Sequence, residues 1–94
     1  MKKKLASVRV LIFGFVQGVS FRAFTQDIGK SLGLTGYAMN LPDGESVEVF
    51  AEGDKKKLEE LLEYLKTGPP GASVRGIKTE WAEYSGKYRE FIVK

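Results

Sequence analysis

Arg22 and the loop leading into it, Gly14-Phe15-Val16-Gln17-Gly18-Val19-Ser20-Phe21, combine the residue types best suited to chemistry in this chain. Glycines at 14 and 18 permit backbone conformations closed to other residues and a close approach of the main chain to a ligand. The loop follows an apolar run and opens what the spacing reads as a helix. Helix N-termini carry unpaired N–H groups and a partial positive charge, which stabilise a phosphate or a carboxylate. The Arg22 guanidinium adds a fixed fork that suits two oxygens of one anion. Together these residues read as a cradle for a small phosphate-bearing anion. Plainer readings stand beside this one. Arg22 could be an exposed first-turn arginine or one side of a surface ion pair. Gln17 could hydrogen-bond within the loop, Thr25 and Gln26 could be surface helix positions, and Phe21 and Phe24 fit a helix's buried face.

Asn40, the only asparagine, falls where a second strand meets its turn. One reading makes it a turn residue bonding its own backbone. The other makes it an amide that accepts a hydrogen bond from a water and aims that water at the bound anion. The chain has neither histidine nor cysteine. It therefore lacks an imidazole base, a phosphohistidine route and a thiolate nucleophile, and it can form no disulfide. A transition-metal site would need carboxylates alone, which is unusual. An enzyme of this composition works by positioning and electrostatics.

With 94 residues, the chain reads as one domain, residues 1–94, with room for a single core. Its 43% hydrophobic and 29% charged residues are ordinary for a soluble globular protein. A net charge of +3 helps attract an anionic substrate, yet falls far short of the footprint of a dedicated nucleic-acid binder. Met1-Lys2-Lys3-Lys4 resembles the start of a signal peptide, but Arg9 interrupts the apolar stretch behind it and no small-residue cleavage site follows. No segment has the length of a membrane span. A cytoplasmic monomer, with no membrane or nucleic-acid partner, is the expectation.

These residues need elements to place them. Residues 7–13 are rich in β-branched and aromatic types and read as a buried strand. Ser20 is the expected N-cap of a helix whose Phe21, Phe24, Ile28 and Leu32 share one face, closed by Gly33. Residues 34–40 and 47–51 form a hairpin around Leu41-Pro42-Asp43-Gly44. Asp54 caps a second helix through Lys66, with Leu58, Leu61, Leu62 and Leu65 as its stripe and Lys55-Lys56-Lys57 as a solvated face. Gly68-Pro69-Pro70-Gly71 stops it. Strands over 73–82 and 88–93 complete the chain as a terminal hairpin or one bent continuation. The order β-α-β-β-α-β predicts a ferredoxin-like α+β sandwich, an antiparallel sheet with both helices on one face. In that arrangement the first strand is expected at the centre, beside the strand carrying Asn40.

The chain also resembles a known family. Ile12-Phe13-Gly14-Phe15-Val16-Gln17-Gly18-Val19-Ser20-Phe21-Arg22 is similar to the first signature of the acylphosphatases at every specified position. Gly36-Tyr37-Ala38-Met39-Asn40, followed by Gly44, Val47 and Gly53, resembles the second. One departure lies in the turn, where Glu45 and Ser46 separate Gly44 from Val47 and the family pattern has a single residue; a longer loop or a bulge is expected there. The resemblance implies a hydrolase cleaving the carboxyl-phosphate bond of small acyl phosphates. It also implies that the backbone amides of Phe15, Val16, Gln17, Gly18, Val19, Ser20, Phe21 and Arg22, with the Arg22 side chain, bind the phosphoryl group, and that Asn40 orients the attacking water. Neither a metal nor an organic cofactor is implied.

Two rival readings use the same residues. Phe13-Gly14-Phe15-Val16 is similar to the glycine-aromatic centre of an RNA-binding motif, but Leu11 and Ile12 stand where a basic residue and glycine belong, and Gly18 where an aromatic does. A non-catalytic domain keeping only the anion cradle would look nearly the same, and only turnover separates it from an enzyme.

Overall fold

In the computed structural model, which describes residues 4–94, the chain runs β1 (Leu5–Phe15), α1 (Phe21–Ser31), β2 (Thr35–Asn40), β3 (Ser46–Asp54), α2 (Lys55–Thr67), β4 (Ser73–Ala82) and β5 (Phe91–Val93). The lysine-rich start considered above falls in Met1–Lys3, outside the described residues, apart from Lys4. Successive side chains of a strand point to opposite faces. Accordingly Val8, Val10 and Ile12 of β1 are fully buried while Arg9 between them is exposed. Val47, Val49 and Ala51 of β3 continue the buried face, with Val10 opposite Val49 and Ile12 opposite Val47. Leu58, Leu61 and Leu65, at helical spacing on α2, close over it, each burial contributing about 1.5–3 kcal/mol. The helices pack against the sheet and against each other. The result is the expected ferredoxin-like α+β arrangement.

The sheet order, β4-β1-β3-β2-β5, corrects three expectations. β1 is not beside the strand that carries Asn40. β3 lies between them and pairs antiparallel with both, because each strand-helix-strand crossover skips a position that the other fills. Second, β5 neither forms a hairpin with β4 nor continues it. It lies at the opposite edge, parallel to β2, with Tyr37 opposite Ile92. Third, the sheet is therefore mixed rather than antiparallel.

What carries the chain from one edge to the other is visible in its contacts. The buried carboxylate of Glu52 accepts hydrogen bonds from the Ser85 N–H (2.7 Å), the Ser85 hydroxyl (2.6 Å) and the Gly86 N–H (3.1 Å). Tyr88 then packs on Tyr37 and Phe50, on the sheet face turned away from the helices. Phe91 enters the core against Gly29 of α1, where a Cβ would lie only 2.6 Å from the ring. Thr25, expected at the surface, is fully buried with its hydroxyl donating to the Phe21 carbonyl, and Gln26 donates to the Phe91 carbonyl at 2.9 Å. Gln26 and Gly29 belong to the face of α1 that receives β5.

Candidate active site

The end of β1 is bent before the loop begins. Its register with β4 shifts between Phe13 and Gly14, a bulge of the kind that re-aims a strand. Only glycine fits at 14, because φ is 132° and a Cβ would lie 2.2 Å from the Ser73 carbonyl oxygen. Residues 16–20 then turn the chain into α1. Gly18 (φ 75°) and Ser20 (φ 63°) are left-handed, with Val19 between them at negative φ. Alternation of hand along a short segment gathers successive N–H groups into a concavity that suits an anion. The left-handed conformation costs a non-glycine residue about 1–2 kcal/mol, so Ser20 is held there by its surroundings.

Ser20 occupies the N-cap position but makes no side-chain cap bond. This corrects the expectation that it caps α1: a capping side chain works from an extended backbone, as Asp54 (φ −61°, ψ 124°) does for α2 by accepting from the Lys56 N–H. Without a side-chain cap, the first-turn amides of α1 stay open. None of the N–H groups of residues 16–20 donates to a protein acceptor among the described residues.

An open cavity of about 360 Å³ lies over this turn, lined by Val16, Gly18, Ser20, Phe21, Arg22, Ala23, Asn40 and Val93. It brings together most of the loop with Arg22 and Asn40. Phe15, Gln17 and Val19 do not line it. Phe15 ends β1 opposite Ser73 with its side chain 60% exposed, Gln17 reaches away to the β2–β3 turn, and Val19 packs against the core. Phe21 is both core and wall: it is buried, meets the Phe24 ring edge-on, and lies against Gly68 at the end of α2.

Arg22 is half-buried and donates from Nη1 to the main-chain oxygen of Lys94 at 2.8 Å. It joins no ion pair with a carboxylate among the described residues. One of five guanidinium N–H groups is thus engaged and the fork remains available. The Lys94 N–H in turn donates to the Ala38 carbonyl at 2.9 Å. The strand that ends at Asn40 and the arginine are therefore joined through β5, not through β1 as the expected strand order required. α1 lies across β2 and β5, which places its N-terminus over the end of β2.

Asn40 is the last residue of β2, opposite Val47. Its side-chain amide makes no hydrogen bond among the described residues, and the turn-stabilising role belongs to Asp43. That carboxylate accepts from the Glu45 N–H at 2.9 Å and the Ser46 hydroxyl at 2.5 Å. The Ser46 and Glu45 bonds hold the Asp43 carboxyl below its usual range. The Leu41 N–H donates to the Ser46 carbonyl at 2.9 Å, so the hairpin closes at that pair. The additional turn residue is absorbed in the loop beyond it, without a bulge in the β2–β3 register.

A family model described as acylphosphatase matches residues 8–93. The chain belongs to the acylphosphatase family. It is 47% identical to an acylphosphatase of Dehalococcoides mccartyi over 87 residues, which cover 93% of this chain and 96% of that one. It is 53% identical to an acylphosphatase of Thermus thermophilus over 76 residues, covering 81% and 85%. Among solved structures it resembles the acylphosphatase from Bacillus subtilis, with a TM-score of 0.90, 32% identity and coverage of 97% of this chain and 99% of that one.

Against the family's signature loop, three contacts were not legible in the sequence. Val93 forms part of the cavity wall, the Lys94 main chain anchors Arg22, and the Gln17 side chain grips the neighbouring turn. Only Gln17 carried a signal, as a long amide flanked by loop backbone. A main-chain oxygen has no residue type to read. Among the described residues no group of three or more His, Cys, Asp or Glu side chains is placed to hold a metal ion.

Proposed function

We propose that the chain hydrolyses small acyl phosphates to a carboxylate and inorganic phosphate, with Asn40 orienting the attacking water onto a phosphoryl group held by Arg22 and the amides of residues 15–22. Membership of the acylphosphatase family supports the reaction class. The observation that carries the residue assignment is the single cavity shared by the open loop, Arg22 and Asn40. The phosphoryl oxygens sit against the loop amides and the guanidinium fork, which stabilise the charge that spreads over them in the transition state. Water held by the Asn40 carbonyl attacks phosphorus in line with the carboxylate leaving group. The P–O bond to the acyl group breaks as the new P–O bond forms. The leaving acid has a pKa of about 4, so it departs without a general acid. An amide is too weak a base to take the water's proton, which passes to a phosphoryl oxygen of the substrate. Positioning and charge stabilisation then supply the catalysis. The same reading takes residues 1–94 as one domain, acting as a cytoplasmic monomer on a small-molecule substrate with no cofactor or metal.

The test is hydrolysis of a simple acyl phosphate in the presence of EDTA. Arg22→Ala is expected to weaken phosphate inhibition and turnover together, by about 100- to 1,000-fold in rate. Arg22→Lys should rescue poorly, because the fork is lost. Asn40→Ala should lose turnover while nearly keeping phosphate affinity. A folded wild type that binds phosphate without turning over acyl phosphate would replace the proposal with an anion-binding domain.

A further inference from the structure

The Gln17 side chain lies outside the cavity and is accounted for neither by phosphoryl binding nor by the core. Its Nε2 donates to two carbonyl oxygens at once, Leu41 at 2.8 Å and Ser46 at 2.9 Å. Both hydrogens of the amide nitrogen are used. The opposite amide orientation would set the side-chain oxygen against two carbonyl oxygens, so the arrangement admits one orientation only. Leu41 and Ser46 are the pair that closes the β2–β3 hairpin, and Leu41 directly follows Asn40. On the other side, Val16 and Gly18, which flank Gln17, both line the cavity. A single side chain therefore clamps the two segments that face each other across the site.

We propose that Gln17 is a positioning residue that fixes Asn40, and hence the attacking water, relative to the bound phosphoryl group. The inference rests on the site assignment of the preceding section. The sheet sets only the root of this contact: Phe13 lies opposite Ser46, and beyond Gly14 the loop leaves the β1–β3 ladder, with β3 standing between β1 and β2. The turn that Gln17 grips is itself stiffened. Asp43 ties down Glu45 and Ser46, and the Gly14 N–H donates to the Glu45 carbonyl at 3.0 Å. The phosphoryl-binding groups have anchors of their own besides the clamp: the left-handed Gly18 and Ser20 shape the loop amides, and Arg22 is held by Lys94. Loss of the clamp should therefore displace the water and spare the anion. Misplacement by about 1 Å can cost on the order of 100-fold in rate.

The experiment compares Gln17→Met, close in length but without donors, with Gln17→Asn, which keeps the amide but falls one methylene short. Three quantities are read for each: kcat with a simple acyl phosphate, Ki for inorganic phosphate, and Ki for vanadate, whose five-coordinate adduct carries an apical oxygen where the attacking water sits. The expected result is a fall in kcat of roughly 10- to 100-fold, with vanadate affinity falling in parallel and phosphate Ki changing by less than about threefold. Adding Gln17→Met to Asn40→Ala should then cost little more, because the clamp acts through Asn40. An unchanged kcat, a parallel loss of phosphate affinity, or failure of both variants to fold would overturn the proposal and leave Gln17 a stability residue. The Asn40→Ala control separates the two levels. If it keeps turnover, the site assignment fails; if it loses turnover while both Gln17 variants keep theirs, only the clamp fails.

Discussion

Replacing Gly29 by alanine sets helix propensity against packing, and the geometry decides which wins. In a helix interior the exchange gains about 1 kcal/mol. Gly29 is buried in the last turn of α1, however, and a Cβ there would lie 2.6, 2.7 and 3.0 Å from three ring carbons of Phe91. Carbon atoms rest at about 3.5–4.0 Å, so the ring must retreat by roughly 1 Å. It has little freedom to do so. Phe91 is 1% exposed, lies opposite Gly36, and is preceded by Glu90, whose carbonyl accepts the Gly36 N–H at 3.0 Å. Overpacking of this kind costs about 1–3 kcal/mol, and the expected net loss is about 1–2 kcal/mol. The displacement should also reach the site, because β5 leads to the Lys94 oxygen that holds Arg22. Urea unfolding and phosphate inhibition of Gly29→Ala check both halves: the midpoint should fall and Ki for phosphate should rise. Phe91→Leu added to Gly29→Ala should restore part of the stability, since the smaller side chain removes the collision. A more stable Gly29→Ala with unchanged phosphate affinity would refute the reasoning.

Two further predictions concern the face of the sheet turned away from the helices. Burial, and then the hydrogen bond to Glu48 and its negative charge, push the Tyr37 phenol up to about 12 from an ordinary value of 10. The fold thus favours the protonated phenol, whose stabilisation is fully present below pH 10 and is lost as pH rises toward about 12. Wild-type stability should therefore fall more steeply over that interval than that of Tyr37→Phe; equal slopes in urea titrations would remove the phenol from the account. Glu52→Gln should lower stability by about 1.5–3 kcal/mol, the range for hydrogen bonds to a charged group. It should also speed proteolysis between Glu83 and Glu90, whereas an unchanged midpoint and cleavage rate would show that Glu52 does not hold the crossover.

The elements were legible because their signals are local. Alternation in β1 and β3, the leucine stripe and Asp54 cap of α2, and the stop at Gly68 each depend on residues within a few positions of one another. Strand order was not. Alternation reports which face a residue takes and says nothing of which strand stands beside it, so it does not reveal that β3 rather than β2 is the neighbour of β1. The place of β5 depends on Glu52 meeting Ser85 and Phe91 meeting Gly29, pairs far apart in sequence whose types are ordinary. Ser20 misled for a different reason: its type favours a cap, while the loop's left-handed turn at φ 63° decides its geometry. Gln26 is a polar type drawn to a strand that the sequence reading put at β4 and the fold puts at the opposite edge.

In the candidate site the difference between legible and illegible has a physical pattern. The groups aimed into the cavity, Arg22, Asn40 and the loop amides, are marked by residue type and by glycine spacing. The groups that aim them are largely main-chain oxygens: Lys94 for Arg22, and Leu41 and Ser46 for Gln17. Such anchors are indifferent to which side chain stands at those positions and sensitive to where the backbone runs. A substitution at 41 or 94 that leaves the backbone in place keeps its oxygen, whereas a shift of register removes it. The same logic accounts for the turn residue in excess of the family pattern. It enlarges the loop beyond the Leu41–Ser46 closure, so Asn40 remains opposite Val47 and both carbonyls stay within reach of Gln17.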